Sequence, residues 1–156
     1  DWILDDLQQN PTPQNVVRYE ITETSYAAIA ENRQNVLDEF KLRNAKIMLD
    51  DFGSGYSSFS MLQSYDFDIL KLDMGFVRKI ESSEKTREII KSIIGMAHRI
   101  GAKIVAEGAE TDQQVEFLKE NDCDYIQGYY FSKPLPQKEF EAYVEECWDN
   151  DKVFEK

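Results

Sequence analysis

The sequence predicts an α/β fold in which a parallel sheet is covered by helices. Three observations lead there. Five short β-rich segments alternate with helical patterns along the 156 residues, and such alternation implies parallel strands joined by crossover helices. In the strand segments one face is apolar while the other ends in an ionisable side chain. The composition also allows a core, since 42% of the residues are hydrophobic and 12% aromatic, as in ordinary globular domains.

The elements follow in order. A short opening helix ends at Asn10-Pro11-Thr12-Pro13, a turn-forming run. Residues 16–21 (VVRYEI) form the first strand. Strand side chains alternate between faces, so Val17, Tyr19 and Ile21 oppose Val16 and Glu20. Ile29, Val36, Leu37 and Phe40 then mark a helix. Residues 46–50 (KIMLD) form the second strand, with Ile47 and Leu49 opposing Met48 and Asp50. In the third, residues 68–72 (DILKL), Leu70 and Leu72 oppose Ile69, Lys71 and, just beyond, Asp73. Ile89, Ile90, Ile93, Ala97 and Ile100 line one helix face. Residues 103–106 (KIVA) follow, Ile104 and Ala106 opposing Val105 and the next residue, Glu107. Residues 124–127 (DYIQ) form the fifth strand. A last helix carries Phe140, Tyr143, Val144, Cys147 and Trp148. Residues 1–148 are read as one domain and 149–156 as an acidic tail.

Charge narrows the function classes. Thirty acidic against 18 basic residues give a formal net charge of −12, which disfavours DNA or RNA as a partner, because phosphate backbones need clustered Lys and Arg. No apolar run is long enough to span a membrane, and the N-terminus does not read as a signal peptide. A cytoplasmic location without direct membrane contact is expected. Cys123 and Cys147 are too few and too far apart for a disulfide scaffold or a zinc site. His98 is expected at or near the surface, far from the charged strand ends, and Tyr129, Tyr130 and Phe131 are expected to pack in the core and its loops.

The charged groups lie at the C-terminal ends of the strands, where α/β folds place their chemistry. With neighbouring strands, Glu20, Asp50, Asp51 and Glu107 converge within a few Å. Carboxylates so close repel unless a cation compensates. Oxygen-only donors suit Mg²⁺ or Mn²⁺, and adjacent Asp50 and Asp51 could reach two ions, as in two-metal phosphoryl chemistry. Lys71 is the expected cationic companion. Two glycines in Phe52-Gly53-Ser54-Gly55 suggest a loop with unusual dihedrals, and Ser58 stands where a dinucleotide fingerprint would need its third glycine. Glu23 could brace this loop through hydroxyls such as those of Ser54 or Ser57.

Five motifs, Glu20-Ile21-Thr22-Glu23, Asp50-Asp51-Phe52-Gly53-Ser54-Gly55-Tyr56-Ser57-Ser58, Lys71-Leu72-Asp73, Val105-Ala106-Glu107-Gly108-Ala109-Glu110 and Gln127-Gly128-Tyr129-Tyr130-Phe131, resemble the EAL-domain family in order and spacing. That family consists of bacterial cyclic di-GMP phosphodiesterases with a barrel related to the TIM fold. The resemblance implies a partial TIM-type barrel of about five parallel strands, the C-terminal two-thirds of such a domain. It implies that Glu20, Asp50, Asp51 and Glu107 are metal ligands, that Lys71 and Glu107 are catalytic, and that Glu23 braces the loop after Asp51. Asp73, Glu110 and Gln127 match supporting polar positions. The implied reaction is Mg²⁺- or Mn²⁺-dependent opening of cyclic di-GMP to linear pGpG. The Glu-Ala-Leu segment and the strand bearing a metal-binding Asn have no counterpart in these residues, so weak metal binding and little activity are expected of this chain alone. The alternative is a non-catalytic module that senses cyclic di-GMP or docks a protein. Five strands of a barrel leave two sheet edges, and a homodimer through them is expected.

Overall fold

The computed structural model describes residues 18–22, 25, 33–42, 45–53 and 58–149. Among these the chain runs β1 (Arg18–Thr22), α1 (Arg33–Leu42), β2 (Lys46–Phe52), α2 (Ser58–Ser64), β3 (Ile69–Leu72), α3 (Met74–Val77), α4 (Glu84–Arg99), β4 (Lys103–Glu107), α5 (Asp112–Glu120), β5 (Tyr125–Gln127) and α6 (Gln137–Asp149). All five strands are parallel and lie in chain order, β1-β2-β3-β4-β5. Among the described residues the strand bounds match the sequence expectation or differ from it by at most two residues; Val16 and Val17, expected in β1, lie outside the described residues. Asp68 and Asp124 stand just before β3 and β5, where their carboxylates accept the backbone N–H of Ile47 and Ile104 at 3.0 Å. No helix among the described residues is long and apolar enough to cross a membrane.

Alternation sorts the side chains into two layers. Ile47, Leu49, Leu70, Leu72, Ile104 and Ala106 face the helices and join Leu37, Ile90, Ile94 and Leu118 in the main core. Each fully buried aliphatic chain contributes about 1.5–3 kcal/mol. On the opposite face Met48, Ile69 and Val105 form a small apolar cluster of their own. The charged strand-end residues lie on this second face, one step further along.

The sheet curls strongly. Arg18, at the start of β1, has its guanidinium carbon 5.6 Å from the centre of the Tyr125 ring, at the start of β5. In a flat sheet four inter-strand spacings would separate them by about 19 Å. Lys103 reaches the same ring, its Nζ donating to the Tyr125 hydroxyl at 3.1 Å. The arrangement is a segment of a barrel wall, with Arg18, Lys103 and Tyr125 at one end of its concave face and the carboxylates at the other.

Local signals set the helix starts. Ser83 caps α4 by accepting the Thr86 N–H at 3.1 Å. Thr111 caps α5, its hydroxyl accepting the Gln114 N–H while the Gln114 side chain accepts the Thr111 N–H, both at 3.3 Å, the reciprocal pairing of a capping box. The Gln114 side chain also accepts from Glu110 N, which is how a residue only 5% exposed satisfies its polar group. Thr111→Ala removes the cap, and a loss of about 1 kcal/mol is expected; an unchanged urea midpoint would show the box contributes nothing.

Candidate active site

The pocket is built by the ends of β1 to β4. Lys71, from the middle strand of the five, is only 5% exposed. Its ammonium lies 2.7 Å from Glu107 Oε1, 2.9 Å from Glu20 Oε2 and 3.0 Å from Asp50 Oδ1. Burial alone would lower its pKa, but the hydrogen bonds it donates to Glu107, Glu20 and Asp50 outweigh that and hold the group well above its ordinary value. Lys71 is therefore a fixed positive charge at the centre of the cluster.

A backbone irregularity brings Asp51 in. β2 pairs with β3 as Leu49 with Leu70 and then Phe52 with Leu72, so β2 uses one residue more than its partner. This is a β-bulge. Asp51 takes a left-handed conformation, φ 57°, and its N–H donates to Asp50 Oδ1 at 3.0 Å. Strict alternation would send Asp51 to the helix face and Phe52 to the pocket. The bulge resets the phase, so Phe52 is buried in the main core with Leu49 and both aspartates serve the pocket. Single oxygens of Asp50, Asp51 and Glu107 lie within 4.8 Å of one another. Glu20, half exposed, shares the Lys71 ammonium with Asp50 and Glu107.

The remaining expected positions are distributed around the rim. Asp73 caps α3, accepting the Gly75 N–H at 2.9 Å. Glu110 faces Arg78 at 3.8 Å. Arg78 was passed over in the sequence because nothing local separates it from a surface arginine. Gln127 ends β5, paired with Glu107, and its carbonyl accepts the Ala109 N–H at 3.2 Å. Glu23, Ser54 and Ser57 lie outside the described residues, as do residues 1–17 and 150–156. Gly53 carries the unusual dihedral expected of its loop, φ 93°.

One smaller reading changes. Tyr129 and Tyr130 are exposed rather than packed, and only Phe131 joins the core margin. A turn closed by the Phe131 N–H donating to the Gly128 carbonyl at 3.1 Å follows β5, and within it the Tyr130 hydroxyl donates to Asp112 at 2.7 Å. His98 sits at the opposite end of the sheet from the carboxylates, with Nε2 2.9 Å from Asp124.

Glutamate, paired aspartates, lysine and glutamate thus fall on four consecutive parallel strands, in the order of the motifs read from the sequence. The model of the EAL domain family matches residues 1–134. The chain belongs to the EAL domain family. It is 36% identical over 144 residues to the cyclic di-GMP phosphodiesterase NbdA of Pseudomonas aeruginosa, a match that takes in 92% of this chain and 18% of that protein. The crystal structure of an EAL domain protein from Listeria monocytogenes superposes with a TM-score of 0.82 at 37% identity, covering 93% of this chain and 57% of the other. A manganese and cyclic di-GMP complex of Klebsiella pneumoniae BlrP1 superposes with a TM-score of 0.77 at 32% identity, over 85% of this chain and 34% of that one. The EAL chain thus spans less than two-thirds of each. Its five parallel strands with flanking helices fit one side of the TIM-like EAL barrel.

Proposed function

We propose that this EAL chain carries part of a metal-dependent site that hydrolyses cyclic di-GMP to linear pGpG, and that it is weakly active by itself. The observation that carries the reading is the trio of Asp50, Asp51 and Glu107 oxygens within 4.8 Å, with the Lys71 ammonium 2.7 Å from one of them. The donor set fits a hard divalent cation, because all the donors are carboxylate oxygens. Asp50, Asp51 and Glu107 would hold it, with Glu20 alongside. Once bound, the ion supplies positive charge that lowers the pKa of water and offsets the charge of the phosphodiester.

The chain's own groups do the rest. A phosphodiester entering a protein of net charge −12 meets the positive charge of the Lys71 ammonium at the centre of the carboxylates, which attracts its phosphate oxygens. In this reading Glu107 accepts the proton of the attacking water. Water adds to phosphorus, one bridging P–O bond breaks, the departing ribose oxygen takes up a proton to become a hydroxyl, and the ring opens. The bulge holds Asp50 and Asp51 in place beforehand, so little reorganisation is left for the reacting complex.

Hydrolysis of cyclic di-GMP by the full-length protein in Mn²⁺, followed by chromatography, tests the reading. Linear product that disappears on chelation is expected. No product at high enzyme concentration would refute it.

A further inference from the structure

The trio that would hold a cation already shares two of its members with Lys71. An ammonium has three donors, and all three are committed, to Glu20, Asp50 and Glu107 at 2.7–3.0 Å. Asp50 and Glu107 are also two of the three residues whose oxygens converge. Lys71 has nowhere to retreat, since β3 has paired neighbours on both sides and the side chain is 7% exposed.

We infer that Lys71 is a resident counter-ion that competes with a divalent cation for Asp50 and Glu107, limiting how tightly the site holds metal. The inference rests on the metal-binding reading given above. Like charges a few Å apart in a partly buried pocket repel strongly. The protein holds the carboxylates together before metal arrives, and it does so at the expense of affinity. A purely structural lysine would have the opposite signature, because losing it would loosen the ligands and weaken metal binding.

The test is calorimetric titration of Mn²⁺, without nucleotide, into the full-length protein and its variants. Lys71→Met, which keeps the length and removes the charge, is expected to lower the Kd about tenfold or more. Lys71→Arg keeps the charge and is expected to leave the Kd near wild type. Circular dichroism checks folding, and Lys71→Gln, also neutral but able to hydrogen-bond, replaces the methionine variant if that one does not fold. Equal or weaker Mn²⁺ binding by a folded neutral variant overturns the inference. Wild-type protein that takes up no Mn²⁺ would instead overturn the metal-dependent reading. Uptake appearing only in a neutral variant would then still support the competition, and none in either would overturn both.

Discussion

Glu107→Gln in the full-length protein is expected to lower cyclic di-GMP turnover about 10²–10⁴-fold, the range of a lost acid–base group, while the fold survives. The substitution keeps the size of the side chain, and the amide oxygen can still accept from Lys71 Nζ, now 2.7 Å from Glu107. Glu20 and Asp50 also remain to satisfy the ammonium. What disappears is one negative charge from the converging trio and, in the proposed mechanism, the group that takes the proton of water. A thermal midpoint within a few degrees of wild type, together with collapsed kcat, is the expected pair of results. Near-wild-type turnover would remove Glu107 from the mechanism.

The second large effect is on stability. At Gly128 an added Cβ would lie 2.1 Å from the carbonyl oxygen of Ala109 and 2.4 Å from its nitrogen. Both are backbone atoms, and ordinary contacts with carbon start near ~3.5 Å. Neither can move freely, because Ala109 donates to Gln127 and accepts from Tyr130 at 3.2 and 2.9 Å. Gly128→Ala must therefore separate the loop after β5 from the loop after β4. A loss of about 3 kcal/mol or more is expected, a large fraction of the about 5–15 kcal/mol that stabilises a domain. Chemical denaturation measures it. A midpoint equal to wild type would mean that the two loops part without cost.

The strand faces were legible in the sequence because period-two alternation leaves a direct record. Leu70 and Leu72 lie in the helix-side core, Ile69 lies in the small cluster, and Lys71 faces the pocket, as their order implies. The bulge was not legible. Asp50 and Asp51 adjoin, so alternation gives them opposite faces, and only a pairing shift against β3 resolves this. Local sequence holds no register. Glu20 was placed by its strand position, whereas its ion pair with Lys71, 51 residues away, is a tertiary contact that local sequence does not record. Tyr129 and Tyr130 show a further limit, since hydrophobic content alone does not tell which way a turn at Gly128 directs the residues after it.

The strictly sequential strand order also has a bearing on how the protein comes into being. From β2 onward each described strand pairs with the one made just before it, so within this segment no strand waits for a distant partner, and the wall can grow one βα unit at a time. The order of the charges then matters. Among the site residues of these strands, Glu20 and the two aspartates precede Lys71 and repel one another. Lys71 follows, and Glu107 comes last. The nascent sheet is at its most electrostatically strained when β2 has docked, and it is relieved one strand later, when β3 arrives carrying the neutralising group.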